Sequence, residues 1–140
     1  MTLRAVVKGV GHYLPDQIVP NSKFESTLDT TDEWIKTRSG IERRHFADDN
    51  QRTSDLAVEA ARAALDDAGM SLDAIDGILV ATSTPDLTFP SVATIVQHKL
   101  GMKHGFGFDV QAVCAGFIYA LTNANALIVG LALVVVLMLG

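Results

Sequence analysis

Charge is missing from one end of this sequence: no Asp, Glu, Lys or Arg follows Asp109. Cysteine is almost missing, with Cys114 alone in 140 residues, which excludes a disulfide framework and a cysteine-based zinc site. A single thiol also fits a reducing compartment. Proline is scarce, and 49% of the residues are hydrophobic against 19% charged. Those proportions exclude a disordered chain, a collagen-like repeat and a Gly/Pro-rich linker. An excess of cations is lacking as well. The net charge of −5 argues against a protein built to hold a nucleic acid backbone. The opening MTLRAVVKG is cationic, but no apolar core follows it, so no secretory signal peptide is expected. The length suits one domain of ordinary size.

What is present alternates between strand-like and helix-like stretches. Leu3 to Val10 reads as a β-branched strand ending at Gly9, Gly11 and the Leu14-Pro15 turn. Asp29 to Glu33 supplies capping oxygens and first-turn acids for a short helix that holds Trp34, Ile35 and Arg38 and stops at Gly40. His45 to Arg52 is polar and reads as loop. Ser54 to Ala68 is the clearest helix, with an apolar face and Gly69 after it. Gly77 to Ala81 (GILVA) has the unbroken apolar character of a buried strand. A helix from Val92 to Leu100 follows Phe89-Pro90-Ser91 and stops at Gly101, and Gly105 to Val110 reads as a short strand. Cys114 to Ile128 predicts a helix apolar on nearly all faces, hence internal, and Leu131 to Leu139 a fully buried strand. The alternation predicts an α/β domain with a mostly parallel sheet.

Cys114 is the first candidate for chemistry. It follows a strand by four residues and opens an apolar helix, where unpaired N–H groups and the helix dipole favour a thiolate. Ala115 and Gly116 leave room for a substrate carbonyl beside the sulfur. The plainer alternative is a buried cysteine acting as a small hydrophobe. Trp34 and Arg38, four apart on one helix face, could form a slot for a flat purine ring, or be a core indole beside a solvated guanidinium. His12, His45, His98 and His104 show no metal-ligand spacing and read as surface residues.

The run Asp109 to Leu121 (DVQAVCAGFIYAL) resembles the active-cysteine segment of β-ketoacyl-acyl-carrier-protein synthase III, a thiolase-fold condensing enzyme family. Gly9 to Pro15 (GVGHYLP), Thr31 to Ile41 (TDEWIKTRSGI) and Phe89-Pro90-Ser91 resemble the same family, in the same order. The resemblance covers residues 1–128. It implies a thiolase-like layered α/β fold, with residues 1–140 forming an N-terminal half whose sheet is mixed and mostly parallel. It implies that Cys114 takes an acyl group from acyl-coenzyme A and passes it to the carbanion of decarboxylated malonyl-acyl-carrier-protein, initiating fatty acid synthesis. It also implies that the Cys114 amide serves an oxyanion hole and that Trp34 and Arg38 hold the adenine of coenzyme A with Thr30 beside them. Phe89 is implied to reach across a homodimer to line the partner's acyl pocket, with Gly105 to Val110 near the two-fold. Coenzyme A enters as part of the substrate, no resident cofactor or metal is implied, and the resembled pathway is cytoplasmic, with neither nucleic acid nor membrane as a partner.

The resemblance stops short in two places. The family is built from two similar halves, and its catalytic His and Asn belong to the second, for which this sequence shows no counterpart. Residues 129–140 are atypical, because Val129-Gly130 runs into LALVVVLMLG where the family has a polar turn. A truncated fragment without condensing activity is therefore one expectation. A non-catalytic coenzyme A or acyl binding module is a second, and a membrane-associated chain a third. The uncharged run Ala126 to Leu139 falls short of the ~20 residues that span a bilayer, so a buried strand is expected there instead.

Overall fold

The computed structural model describes residues 4–131 and 136–139, the last four by their backbone. The chain divides into two compact units, residues 14–51 and the remainder.

In residues 14–51, β1 (Gln17–Pro20) and β2 (Arg43–Phe46) pair antiparallel, with Ile18 opposite His45. Helix α1 (Asp32–Ser39) lies between them in sequence. It begins and ends where its residues predict: the Trp34 N–H donates to Thr31 Oγ1 at 3.1 Å, and Gly40 closes it at φ 72°. The ribbon departs from expectation, since His45 lies in a strand rather than a loop. RRHF has no alternation of apolar and polar residues to announce a strand. Its pairing and one buried side chain of β1, Val19, set it instead.

The other unit contains α2 (Thr53–Ala68), β3 (Gly77–Ala81), α3 (Val92–Leu100), β4 (Phe106–Val110), α4 (Gly116–Leu131) and β5 (Val136–Leu139). Its sheet has the order β4-β3-β5, all parallel, which puts the unbroken apolar strand in the middle. Ile78 and Val80 face α2 and α3 and join Ala57, Val58, Ala61 and Val92 in the buried cluster. Leu79 is also fully buried, and strand alternation sends it to the opposite face, where α4 packs. Helices α2, α3 and β3 match the expected boundaries to within a residue, because Gly69 and Gly101 sit at positive φ just past the helix ends.

Three expectations are corrected. Residues 4–10 form no strand. Gly9 and Gly11 lie directly on α2, where a Cβ on Gly9 would meet the Ala64 carbonyl oxygen at 2.6 Å and one on Gly11 the Ala60 carbonyl oxygen at 2.5 Å. The Val10 N–H donates to Asp67 Oδ2 at 2.9 Å, and Val6, Val7 and Val10 are exposed. A helix backbone therefore receives this segment, and β-propensity alone builds no ladder. Second, α4 is not internal. Only Gly116, Ala120 and Ala124, one every four residues, are buried in it, while Phe117, Ile118, Tyr119 and Leu121 are exposed. Three small residues form its packing stripe, and the large ones face outward. Third, Leu131 belongs to α4, and among the described residues of that stretch 136–139 form a strand, in register with Gly77 to Val80. The expected burial of residues 132–139 lies outside the described residues.

Candidate functional site

Strand β4 leads into the candidate nucleophile. At its far end Asp109 accepts the N–H groups of Val92 (2.7 Å) and Ala93 (2.8 Å), tying β4 to the start of α3. Val110 accepts the Thr82 N–H at 3.2 Å, the last tie to the β3 side. After Gln111 and Ala112 the chain makes a 3₁₀ turn over Val113–Ala115 and enters α4 at Gly116. Val113 holds φ 47°, a backbone region that costs a β-branched residue about 1–3 kcal/mol and recurs at functional turns. Cys114 is exposed in this turn, which removes the reading of a buried structural thiol. Gly116 passes so close to Ala81 that an added Cβ would lie 3.3 Å from the Ala81 Cβ, so the turn sits tight on the sheet.

Phe89 is 87% exposed, two residues before Ser91, whose Oγ accepts the Thr94 N–H and caps α3. It is not a core aromatic. Its loop is anchored by Asp86, which accepts the Ser54 N–H at 2.9 Å and the Ser54 hydroxyl at 2.5 Å. Lys99 Nζ donates to Ser54 Oγ and Asp55 Oδ1, both at 2.6 Å. That contact and the Arg52 N–H hold the Asp55 carboxyl below its ordinary range. The exposed ring is thus carried on a loop tied to two helix starts.

The other candidates lie in the 14–51 unit. Arg38 Cζ stands 5.4 Å from the Trp34 ring centroid, and Trp34 is 56% exposed. At this distance the guanidinium is itself the stacking partner of the indole. A ring placed between them would need a separation of roughly 7 Å, so a purine either displaces Arg38 or stacks on exposed indole surface. Thr30 Oγ1 is buried without a hydrogen-bond partner among the described residues.

Among the histidines, His12, His98 and His104 are exposed, and His45 is half-buried with its Nδ1 2.5 Å from the Pro15 carbonyl oxygen. Among the described residues no three His, Cys, Asp or Glu side chains could hold a metal. The sequence reading passed over Asn21, a fully buried side chain with three polar contacts; nothing in PNSKF distinguishes it from a turn residue.

No family model matches the chain. Curated relatives do. The β-ketoacyl-[acyl-carrier-protein] synthase III of Cereibacter sphaeroides (strain ATCC 17029) is 73% identical over 128 residues, 91% of this chain and 40% of that protein. The synthase III of Ruegeria pomeroyi is 71% identical over 129 residues, 92% of this chain and 40% of the relative. This chain is a part-length relative of the β-ketoacyl-[acyl-carrier-protein] synthase III family. It spans about two-fifths of the length of the synthases it matches. The synthase III of Aquifex aeolicus superposes with a TM-score of 0.89 at 40% identity, covering 97% of this chain and 44% of that one. The priming β-ketosynthase of the R1128 polyketide pathway superposes at 0.81 with 38% identity, covering 87% and 36%. The layered α/β fold is therefore the thiolase-like fold of the synthase III enzymes, as the motifs predict.

Proposed function

We propose that this chain supplies the acyl-accepting part of a β-ketoacyl-acyl-carrier-protein synthase III, with Cys114 as the nucleophile. The observation that carries the reading is the exposed thiol on a strained turn between β4 and α4, in a chain 73% identical to a synthase of that name. The Cys114 sulfur bonds to the acyl carbonyl carbon of an acyl-coenzyme A, the thioester bond to coenzyme A breaks, and coenzyme A leaves as the thiol. One thioester replaces another, so little free energy separates the two and the acyl group stays activated. The Cys114 amide is one donor to the oxyanion. In the second step the malonyl carboxylate leaves as carbon dioxide, the carbanion attacks the acyl carbon, and the Cys114 thiolate is released.

Trp34 and Arg38 receive the adenine end of coenzyme A, supported by the exposed indole and by Thr30 Oγ1, buried without a hydrogen-bond partner among the described residues. Phe89 lines an acyl pocket of a homodimer, supported by its exposure on an anchored loop and by the position of β4 at the edge of the three-stranded sheet. Acyl-coenzyme A and malonyl-acyl-carrier-protein are the partners in this reading, the compartment is the cytoplasm, and no cofactor is resident. Among the described residues one stretch, Val113–Leu131, is long and apolar enough to cross a membrane by length and composition.

Acetyl-coenzyme A should leave an acetyl group on the Cys114 peptide, read by mass spectrometry, and Cys114→Ser should abolish it. Acetylation elsewhere, or at an unchanged rate in Cys114→Ser, overturns the assignment. Coenzyme A binding without any transfer favours the binding-module reading.

A further inference from the structure

The amide of Asn21 touches both ends of the helix that carries Trp34 and Arg38. Its Nδ2 donates to Asp32 Oδ1 at 2.9 Å, on the first residue of α1, and to the Ile41 carbonyl oxygen at 2.7 Å, just past the Gly40 cap. Its Oδ1 accepts from Arg44 Nη1 at 2.7 Å, and its backbone N–H donates to the Glu42 carbonyl oxygen at 3.4 Å. The residue has no exposed surface at all. The Arg44 guanidinium in turn lies over the Phe24 ring at 5.0 Å.

Helix α1 needs such a clamp. It has eight residues, a length at which an isolated helix does not hold in water, and Ile35 is its single buried residue. Apolar packing therefore fixes it weakly in rotation and along its axis. A donor reaching both termini from one side chain holds it in both respects, and so holds the indole and guanidinium on its exposed side.

We propose that Asn21 is a positioning residue for the coenzyme-binding face of α1, acting on Trp34 and Arg38 through the two ends of the helix. The proposal rests on the reading of Trp34 and Arg38 as the adenine site, yet its structural half is measurable without it. Trp34 is the only tryptophan, so the indole fluorescence and the single indole N–H resonance report on this helix alone.

The test compares three variants of the full chain. Asn21→Asp keeps the shape and the acceptor for Arg44 but puts a carboxylate oxygen against Asp32 and the Ile41 carbonyl. Asp32→Ala removes one tie, together with the Lys36–Asp32 ion pair at 2.9 Å, from a partly exposed position, which guards against failure of the first variant to fold. Arg44→Lys leaves both ties to α1 in place. Asn21→Asp and Asp32→Ala should shift the indole resonance and raise acrylamide quenching of Trp34, while Arg44→Lys leaves both near the parent. The dissociation constant for coenzyme A should rise about tenfold in Asn21→Asp, equivalent to ~1.4 kcal/mol. Alkylation of Cys114 by iodoacetamide should change less than about twofold.

An unchanged indole signal in Asn21→Asp and Asp32→Ala overturns the positioning role. So does a loss of coenzyme binding that parallels a loss of far-ultraviolet dichroism, because that marks general destabilisation. If the indole signal shifts but coenzyme A binds neither parent nor variant, the clamp stands as a structural fact. The adenine site, and the functional half of the proposal, then fall.

Discussion

At Gly11 the chain approaches α2 so closely that a methyl group would collide with the Ala60 carbonyl oxygen, a backbone atom unable to rotate away. Gly11→Ala should therefore lower stability by about 1–3 kcal/mol, measured by denaturant titration, while Gly130→Ala, which meets nothing within 4 Å, should not. The two glycines look alike in sequence, and the difference belongs to the neighbour each one meets. Cys114 is a similar case. Its spacing from β4 marks it as a candidate, but spacing is the same for a buried and an exposed thiol. Exposure and the positive φ of Val113 separate those readings. Asn21 marks the opposite limit: its role comes from Asp32, Ile41 and Arg44, up to 23 positions away, and no local pattern encodes it.

Helices were legible where their ends carry chemistry. Thr31, Ser91, Gly40, Gly69 and Gly101 act through atoms a few residues away, so α1, α2 and α3 begin and stop where those residues stand. Helix α3 also needs Asp109 on β4 for its first two amides, a support invisible in its own sequence. Asp109→Asn should turn an amide N–H₂ toward one of those donors, lowering the melting temperature and raising hydrogen exchange at Val92 and Ala93. The contact between α2 and α3 through Asp55 and Lys99 carries a pH dependence. The Asp55 carboxyl is held below 3.8 chiefly by Lys99, so the stability it contributes is present above that pH and fades as pH falls through the lowered folded value. The acid limb of a pH–stability curve, below about pH 4, should be shallower in Lys99→Met than in the parent. An unchanged acid limb would show the pair to be too solvated to matter.

For the molecule as a whole, the alternation of strand-like and helix-like stretches predicted the α/β class and the mostly parallel sheet, and the order β4-β3-β5 agrees with both. It misplaced the apolar surface. Phe117, Ile118, Tyr119 and Leu121 on α4, together with Val6, Val7 and Val10, leave this chain with much exposed hydrocarbon in one unit. The chain in isolation should associate with rising concentration by light scattering, and Phe117→Ser with Ile118→Asn should reduce that association while leaving the far-ultraviolet dichroism unchanged. The sequence by itself determined where α1, α2 and α3 end, that Gly77 to Ala81 is a buried strand, and which thiol, indole and guanidinium are the candidates. Those features depend on residues within a turn or two of one another. Tertiary structure alone decided which face of α4 meets the sheet, that residues 4–10 lie on a helix instead of a strand, that Arg38 rests on Trp34, and that Asn21 clamps α1. Each of these depends on the shape and donors of residues distant in sequence, and a hydrophobic or polar letter does not say which neighbour it will find.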